Sequence, residues 1–163
     1  MFRVLPYQKI YWPGIWDILE PIFRAGETYA VPRDITERDA HRMWVEGPQA
    51  TYVSLGLRNE ILGTFYIKPN HPGGGDHVCN CGYAVSDQAR GQGIASMMCT
   101  FSQNEAKRLG YRAMQYNIVA STNEGAVRLW KKHGFAVVGT LPGAFRHPVQ
   151  GFVDAFVMYK TLV

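Results

Sequence analysis

The chain has 163 residues, of which 47% are hydrophobic and 18% are charged, and its formal net charge is +4. This length suits one domain with a substantial core, so we expect residues 1–163 to form a single domain. The sequence has no run of about 18 apolar residues that would cross a membrane and no secretory pattern at its start. These features predict a cytoplasmic protein that has no membrane partner.

The basic residues are scattered, and their densest group is Arg128, Lys131 and Lys132. This group lies near the C-terminal end of a predicted helix, where cations complement the helix dipole. A solvated helix face explains it better than a nucleic-acid surface, because no groove-reading motif accompanies it. We therefore predict no nucleic-acid partner.

The three cysteines, Cys79, Cys81 and Cys99, form an odd set that does not fit a disulfide framework. The Cys79-x-Cys81 spacing on a strand is too tight for a relaxed disulfide or for the usual zinc pattern. We expect buried thiols and no metal.

The first half of the chain is predicted to alternate early between strand and helix and then to form a hairpin. Pro6 limits the first strand to a short or edge position, and Pro21 should kink or split the first helix, which Gly26 ends. Asp34-Ile-Thr-Glu37 has the pattern of a capping box at the start of the second helix. The predicted elements are a strand (2–9), helices (13–25 and 34–44) and hairpin strands (51–57 and 60–68).

The second half alternates regularly between strand and helix, which is typical of an α/β fold with a central mixed sheet. Glycines at 110 and 134 are expected to end its two helices. The predicted elements are strands (77–85, 113–119, 135–140 and 152–161), helices (94–109 and 123–133) and a loop (143–148) between the last two strands.

A glycine-punctuated turn, Arg90-Gly-Gln-Gly-Ile-Ala95, joins a strand to a helix. The free N–H groups and positive dipole at such a helix start suit a phosphate or diphosphate. The turn lacks the Lys-Ser/Thr of a Walker A loop, as well as the third glycine and downstream acid of a dinucleotide fingerprint. The alternative is that these glycines serve only a positive φ.

A second motif follows at residues 123–135, Asn-Glu-Gly-Ala-Val-Arg-Leu-Trp-Lys-Lys-His-Gly-Phe. It resembles the second motif of the GCN5-related N-acetyltransferase (GNAT) superfamily, Asn-x-x-Ala-x-x-Leu-Tyr-x-x-x-Gly-Phe. The Arg90–Ala95 run matches that family's coenzyme A pyrophosphate motif. The resemblance covers residues 76–160 and extends to the first 75 by element order. It implies a GNAT-like α/β fold, with a central mixed, twisted sheet flanked by helices and strands that splay apart at the coenzyme A wedge.

The resemblance implies acetyl transfer from acetyl-coenzyme A to an amine. The diphosphate is expected to lie at Arg90 and at the amides of Gly91, Gln92, Gly93, Ile94, Ala95 and Ser96. The pantetheine arm should pair with the edge of Tyr83–Val85, and the N–H of Val85 or a neighbour should stabilise the oxyanion. Asn123 is expected to contact pantetheine or the acetyl region, although an N-cap role would also explain it.

Trp130 stands where the family often has a tyrosine that protonates the departing thiolate. Since an indole N–H is not a useful acid, we interpret Trp130 as a packing or cofactor-stacking residue. A tyrosine (Tyr83, Tyr116 or Tyr159) or a water remains as the possible acid. Glu27, Asp154 or a water remains as the possible base.

Asn80 and Asn117 are amides within otherwise apolar strands, next to the expected wedge. They either pair with the backbone where the strands part or bind the acceptor or the acetyl carbonyl. By resemblance, the pair favours a small, amino-acid-like acceptor, whose pocket Tyr29 would wall. Arg146 and His147 would then meet its carboxylate.

We expect an N-acetyltransferase for a small-molecule amine. The alternatives are an enzyme that acetylates a protein N-terminus or lysine, and a coenzyme A-binding regulatory module without turnover. An exposed edge strand near the C-terminus also makes a homodimer plausible.

Overall fold

The computed structural model describes residues 2–163 and contains a seven-stranded mixed β-sheet with four α-helices. The strands lie side by side in the order β1-β2-β3-β4-β5-β7-β6. The strands are β1 (Arg3–Pro6), β2 (Ala50–Leu55), β3 (Ile61–Pro69), β4 (Val78–Val85), β5 (Ala113–Ala120), β6 (Ala136–His147) and β7 (Gly151–Thr161). The helices are α1 (Trp12–Ala25), α2 (Glu37–His41), α3 (Ile94–Arg108) and α4 (Glu124–Lys132). The predicted α/β fold class is confirmed.

Each face of the sheet supports its own hydrophobic core. On one face, α3 and α4 pack over strand residues such as Phe65 and Cys81. On the other face, α1 and α2 pack over residues such as Val53 and Ala84. This division follows from the alternation of side chains along each strand, and it leaves β4 with a helical layer on each side.

The pairing between β4 and β5 is short. Of the neighbouring strand pairs in residues 2–163, this one is parallel and the others are antiparallel. It is limited to the rows Val78↔Ala113 and Cys79↔Met114. Beyond Cys79 the two strands diverge while each keeps its other neighbour, β3 or β7. We call this opening the fork.

The N-terminal half differs from the sequence prediction in two details. The helix α1 continues through Pro21, because both Pro21 and the residue whose carbonyl it leaves unbonded, Asp17, lie on the exposed face. The cap of α2 is Thr36, whose hydroxyl accepts from the Asp39 N–H at 3.1 Å, and so the prediction of a cap at Asp34 is wrong. The predicted end of α1 at Gly26, with φ 68°, is confirmed.

The last two strands are longer than the sequence suggested. Residues 143–147 were expected in a loop but belong to β6, where Phe145 pairs with Val153 and Arg146 pairs with Phe152. The register shifts between Leu141 and Phe145. Gly143, at φ 59°, lies in this irregularity, and its N–H donates to Asp154 Oδ1 at 3.0 Å. The glycine therefore marks a bulge rather than the end of the strand.

Helices long and apolar enough to cross a membrane do not occur within residues 2–163.

Candidate functional site

The turn before α3 presents a set of unbonded main-chain donors. In residues 2–163, no protein acceptor is found for the N–H groups of Gly91, Gly93, Ile94, Ala95 and Ser96. Gly93 caps the helix and supplies no side-chain bond. Five N–H groups are therefore left without a protein acceptor at the positive end of a 15-residue helix. We call this set the amide cradle.

The two glycines of the cradle have left-handed backbone conformations, with φ 75° at Gly91 and 80° at Gly93. A Cβ added at either position would meet no heavy atom within 4 Å. The glycines are thus required by the turn rather than by close packing, and open space lies beside both of them. Arg90 lies at the rim, where it forms an exposed ion pair with Asp87 at 2.9 Å.

The β4 edge that faces the fork also has free main-chain groups. At the two ends of the β3–β4 pair, Ser86 donates to Leu62 at 2.9 Å and Asn70 donates to Val78 at 2.8 Å. Even-numbered residues of β4 therefore bond to β3, and the alternation of a strand turns the odd-numbered ones away from it. It follows that the N–H groups of Tyr83 and Val85 point into the fork.

Asn80 lies at the point where the fork begins. Its Nδ2 donates to the main-chain carbonyl of Gln115 at 2.9 Å, just past the last paired row. Its Oδ1 accepts from the Tyr66 hydroxyl at 3.3 Å. The side-chain amide thus replaces the main-chain hydrogen bond that would follow in the ladder. Pairing with the backbone was one of the two explanations that the sequence offered for Asn80.

Tyr29, on the link between α1 and α2, reaches the same strand. Its hydroxyl donates to the Tyr83 carbonyl at 2.6 Å, and its ring packs against Phe23 and Trp44. Burial raises the pKa of Tyr29 well above its ordinary value, so this hydroxyl remains a donor. Of the main-chain groups of Tyr83 that face the fork, the carbonyl is satisfied and the N–H is not.

An aromatic group covers the fork on the α3/α4 face. The Trp130 ring lies 5.0 Å from the Tyr83 ring and 4.9 Å from the Tyr116 ring, measured between centroids, and so it spans the two diverging strands. The indole Nε1 has no hydrogen-bond partner among the residues that the structure describes. The sequence interpretation of Trp130 as a packing residue agrees with these contacts.

The hydroxyls of Tyr83 and Tyr116 form a buried network under α3. They lie 3.1 Å apart, and the Tyr83 hydroxyl also contacts Ser102 Oγ at 2.6 Å. Burial raises the pKa of both tyrosines well above the ordinary value. These hydroxyls are therefore much weaker acids than a free tyrosine, which disfavours them as the source of the proton that Trp130 lacks.

Asn123 is the N-cap of α4, and its Oδ1 accepts from the Ala126 N–H at 3.4 Å. The capping explanation therefore holds for its oxygen. The amide nitrogen makes no bond within the described part of the chain and stays available. The buried Thr122 hydroxyl next to it has no partner among residues 2–163.

Three of the residues predicted to serve catalysis or to bind the acceptor lie at the surface. Asn117 is exposed on β5 and donates to Asn70 Oδ1 at 2.7 Å, so it is not the buried amide that the strand pattern suggested. Glu27 is exposed on the α1–α2 link. Arg146 lies near the tip of the β6–β7 hairpin, with its guanidinium 5.4 Å from the Phe152 ring centroid.

Two contacts at the site were not predicted. Lys68 pairs with Asn80 across β3 and β4, which puts its side chain on the same face of the sheet as Asn80. His133 Nε2 lies 2.7 Å from the Ser96 hydroxyl. The sequence shows that His133 comes directly before the helix-ending Gly134. It does not show that the side chain would contact Ser96, which is 37 residues away.

Comparisons with known proteins identify the family to which this fold belongs. Residues 12–135 match the model of the Acetyltransferase (GNAT) family. N-acetyltransferase aca1 of Schizosaccharomyces pombe is 30% identical over 148 residues, which cover 81% of this chain and 71% of that protein.

Solved structures extend the likeness to the whole fold. A GCN5-related N-acetyltransferase from Kribbella flavida superposes with a TM-score of 0.94 at 38% identity, covering 98% of this chain and 97% of that one. A phosphinothricin acetyltransferase from Sinorhizobium meliloti, solved in complex with AcCoA, has a TM-score of 0.86 at 15% identity, covering 98% and 88%. At that identity, the second likeness shows the fold alone.

The family model spans most of the chain. The Schizosaccharomyces pombe protein is 30% identical to this chain over most of the length of both proteins. The chain therefore belongs to the GNAT family of acetyltransferases, which makes it an enzyme of the acyl-coenzyme A-dependent N-acyltransferase class.

Proposed function

We propose that this protein transfers an acetyl group from acetyl-coenzyme A to the amine of a small, amino-acid-like molecule. The observation that carries the proposal is the continuity between the amide cradle and the free β4 edge. The cradle offers five unbonded N–H groups to a diphosphate. The strand that leads into it offers the N–H groups of Tyr83 and Val85 to an extended arm. The phosphinothricin acetyltransferase of similar fold, which was solved with AcCoA, supports this choice of donor.

The residues of the cradle fit a diphosphate on structural grounds. Gly91 and Gly93 both border open space, and Arg90 stands at the rim. An anion there receives main-chain hydrogen bonds and the positive end of α3 together. Arg90 contributes by sharing its guanidinium between Asp87 and the anion.

Acetyl-coenzyme A supplies an acetyl thioester, which is activated toward an amine. The protein's part is to aim donors at the acyl oxygen, where negative charge develops during attack. Val85 and Tyr83 qualify, because strand alternation directs both N–H groups into the fork. Tyr29 holds the Tyr83 carbonyl at 2.6 Å and thereby keeps this peptide orientation fixed.

Proton transfer needs little help from side chains in this arrangement. A thiol has a pKa of about 8.5, so a thiolate leaves without full protonation. Trp130 covers the fork without supplying an acid, and Glu27 is an exposed carboxylate. We propose that solvent takes the ammonium proton and returns one to the thiolate, with Glu27 on the α1–α2 link as a candidate base.

The acceptor is proposed to enter from the α1/α2 face. Aromatic rings pack on this side of β4, where the half-buried Tyr29 and Tyr66 lie 5.9 Å and 4.9 Å from the buried Trp44 ring. Tyr66 is bonded to Asn80, and Lys68 lies opposite Asn80 in the register. Aromatic walls with one amide and one cation suit a compact amine that carries a carboxylate better than a polypeptide. Asn117 and Arg146 are proposed as outer contacts for the same acceptor.

The proposal is tested by measuring free thiol released from acetyl-coenzyme A with three kinds of acceptor. These are amino acids, amines without a carboxylate, and a lysine-containing peptide. We expect turnover with amino acids and little with the peptide. Preference for the peptide would favour the protein-acetylating alternative. Tight binding of acetyl-coenzyme A without thiol release from any acceptor would favour a regulatory module.

Two substitutions test whether Lys68 or Arg146 binds the carboxylate of the acceptor. Lys68→Met should raise KM for an amino-acid acceptor and leave KM for a simple amine unchanged. Arg146→Met removes the cation at the tip of the β6–β7 hairpin, and its KM values for the same two acceptors are compared with those of Lys68→Met. An equal effect of Lys68→Met on both acceptors would contradict a carboxylate-binding role.

A further inference from the structure

Ser96 and His133 form a direct side-chain contact between α3 and α4. The distance from Ser96 Oγ to His133 Nε2 is 2.7 Å. Ser96 is the third residue of α3, and its own N–H belongs to the amide cradle. Helical side chains tilt toward the helix N-terminus, so this hydroxyl lies beside the amides. The imidazole is therefore one hydroxyl group away from the proposed diphosphate.

The backbone of His133 is firmly held. It is the C-cap residue of α4, and its N–H donates to the Leu129 and Trp130 carbonyls at 3.1 Å. Its carbonyl accepts from Lys160 Nζ at 2.7 Å. Lys160 also donates to Gln103 on α3. The backbone that carries the ring is thus anchored where α3, α4 and β7 meet. The ring itself is held by its contact with Ser96.

The surroundings of the imidazole are cationic. Burial, followed by the charges of Lys160 on β7 and Lys132 on α4, lowers the pKa of His133 below its usual 6.5. From α3 it faces the neutral Ser96 hydroxyl and the positive end of the helix. Within residues 2–163, no carboxylate is among the groups that act on it. The imidazole is therefore neutral near pH 7 when no anion is bound.

We propose that His133 is a positioning residue for the cofactor phosphates, which acts through Ser96 and takes up a proton when the cofactor binds. This inference rests on the proposed function, because the anion is the diphosphate of acetyl-coenzyme A. In the complex, His133 Nε2–H donates to Ser96 Oγ, and the hydroxyl donates its own hydrogen to a phosphate oxygen.

The direction of the Ser96–His133 hydrogen bond decides whether the Ser96 hydroxyl presents a hydrogen or a lone pair to the phosphate. If the hydroxyl donates to a neutral imidazole, its oxygen turns lone pairs toward the anion, which repels it. If Nε2 carries the hydrogen, the hydroxyl becomes a donor to the phosphate. A nearby anion favours the charged form of the imidazole and opposes the effect of the two lysines. Binding therefore raises the pKa of His133, and affinity rises as the pH falls through that range.

The test is calorimetric titration of the protein with dephospho-coenzyme A. This probe keeps the diphosphate and lacks the terminal phosphomonoester, whose own ionisation near pH 6 would obscure the result. Titrations at pH 6.5 and 8.5, in buffers of different ionisation enthalpy, count the protons taken up. We expect the wild-type protein to take up a fraction of a proton at pH 6.5 and almost none at pH 8.5.

His133→Gln should abolish this uptake. Glutamine can still donate to Ser96 but cannot titrate, so affinity should fall about tenfold at pH 6.5 and change little at pH 8.5. His71→Gln is the matched control, because His71 is exposed in the loop before β4. Equal proton uptake by wild type and His133→Gln would overturn the inference.

A second measurement needs no variant. Nuclear magnetic resonance of the wild-type His133 ring, with and without dephospho-coenzyme A, should show an upward shift of its pKa on binding, and the absence of a shift would overturn the inference. The outcomes also separate the two proposals. A wild-type protein that does not bind the probe contradicts the proposed function itself. Binding without uptake at His133 contradicts this inference alone.

Discussion

The Asn80 side chain donates to the main-chain carbonyl of Gln115 at 2.9 Å, in the row where β4 and β5 stop pairing. A parallel pair would ordinarily continue there with a main-chain bond. By occupying that carbonyl, the side-chain amide ends the ladder and allows the strands to diverge. The start of the fork is thus fixed by Asn80, whose side chain is hydrogen-bonded to both Gln115 and Tyr66.

Asn80→Ala should therefore destabilise the protein. The change leaves the Gln115 carbonyl without its donor and the Tyr66 hydroxyl without its acceptor, and we expect a loss of about 1–3 kcal/mol. The free energy of unfolding, measured by urea titration, checks this value. Asn117→Ala is the matched control, because Asn117 is exposed, and it should cost less than about 0.5 kcal/mol. An equal loss in both variants would contradict the assignment.

Gly93→Ala should weaken acetyl-coenzyme A binding. At φ 80° an alanine is strained by about 1–2 kcal/mol, and its methyl group enters the open space beside Gly93, which belongs to the amide cradle. We expect KM for acetyl-coenzyme A to rise at least about tenfold. Steady-state kinetics at saturating acceptor measure this change.

Gly110→Ala provides the control for Gly93→Ala. Gly110 follows the other end of α3 at φ 94°, and an added Cβ there would also meet nothing within 4 Å. The two variants should lose similar stability, but only Gly93→Ala should change KM. A KM effect of the same size in both would show that the glycines act through strain alone.

Trp130→Tyr should raise kcat. A phenol supplies an acidic proton at the position that bridges Tyr83 and Tyr116, which an indole cannot do. We expect a gain of about tenfold, modest compared with general acid catalysis elsewhere because the thiolate leaves readily. Trp130→Phe carries no proton and should not raise kcat. A gain with phenylalanine would point to steric relief instead.

The buried tyrosines predict a loss of stability in alkali. Burial raises the folded-state pKa of Tyr29, Tyr83 and Tyr116 above the value of about 10 that they have when unfolded. Their contribution to stability is complete below pH 10 and is lost as the pH rises beyond it, because the unfolded chain then releases protons first. Urea midpoints from pH 8 to 11 should stay level and then fall. Absorbance at alkaline pH should show tyrosines that ionise only on unfolding.

Much of the fold follows from local sequence signals. Alternating residues located both hairpin strands and the later strands, and glycines at 26 and 110 marked where helices end. The glycine turn and the motif at residues 123–135 together indicated the family. These features depend on neighbours within a few residues, and such signals survive in a single sequence.

The errors arose where a local signal had two meanings. Asp34 and Thr36 both suit an N-cap, and the structure uses Thr36. Gly143 and Pro148 suggested a loop, yet Gly143 lies in a bulge and only Pro148 falls in the turn. Asn80 and Asn117 looked alike in the strand pattern, but the first is buried and the second exposed. Burial depends on strands that are distant in sequence.

The side-chain contacts of the site were beyond prediction for the same reason. Tyr29 meets Tyr83 across 54 residues, and Ser96 meets His133 across 37. No periodicity encodes such distances. The residue types were visible in the sequence, but the hydrogen bonds that give them a role depend on how helices pack over the sheet.

The strand order has a consequence for how the protein assembles. β7 is built from residues 151–161 yet lies between β5 and β6, in the interior of the sheet. Because β4 releases β5 after Cys79, the position of β5 depends on β7. On a ribosome, β7 emerges after the other six strands of this sheet. The cleft between β4 and β5 therefore acquires its second rigid wall only once β7 has been made, and a nascent chain that still lacks β7 is not competent for acyl transfer.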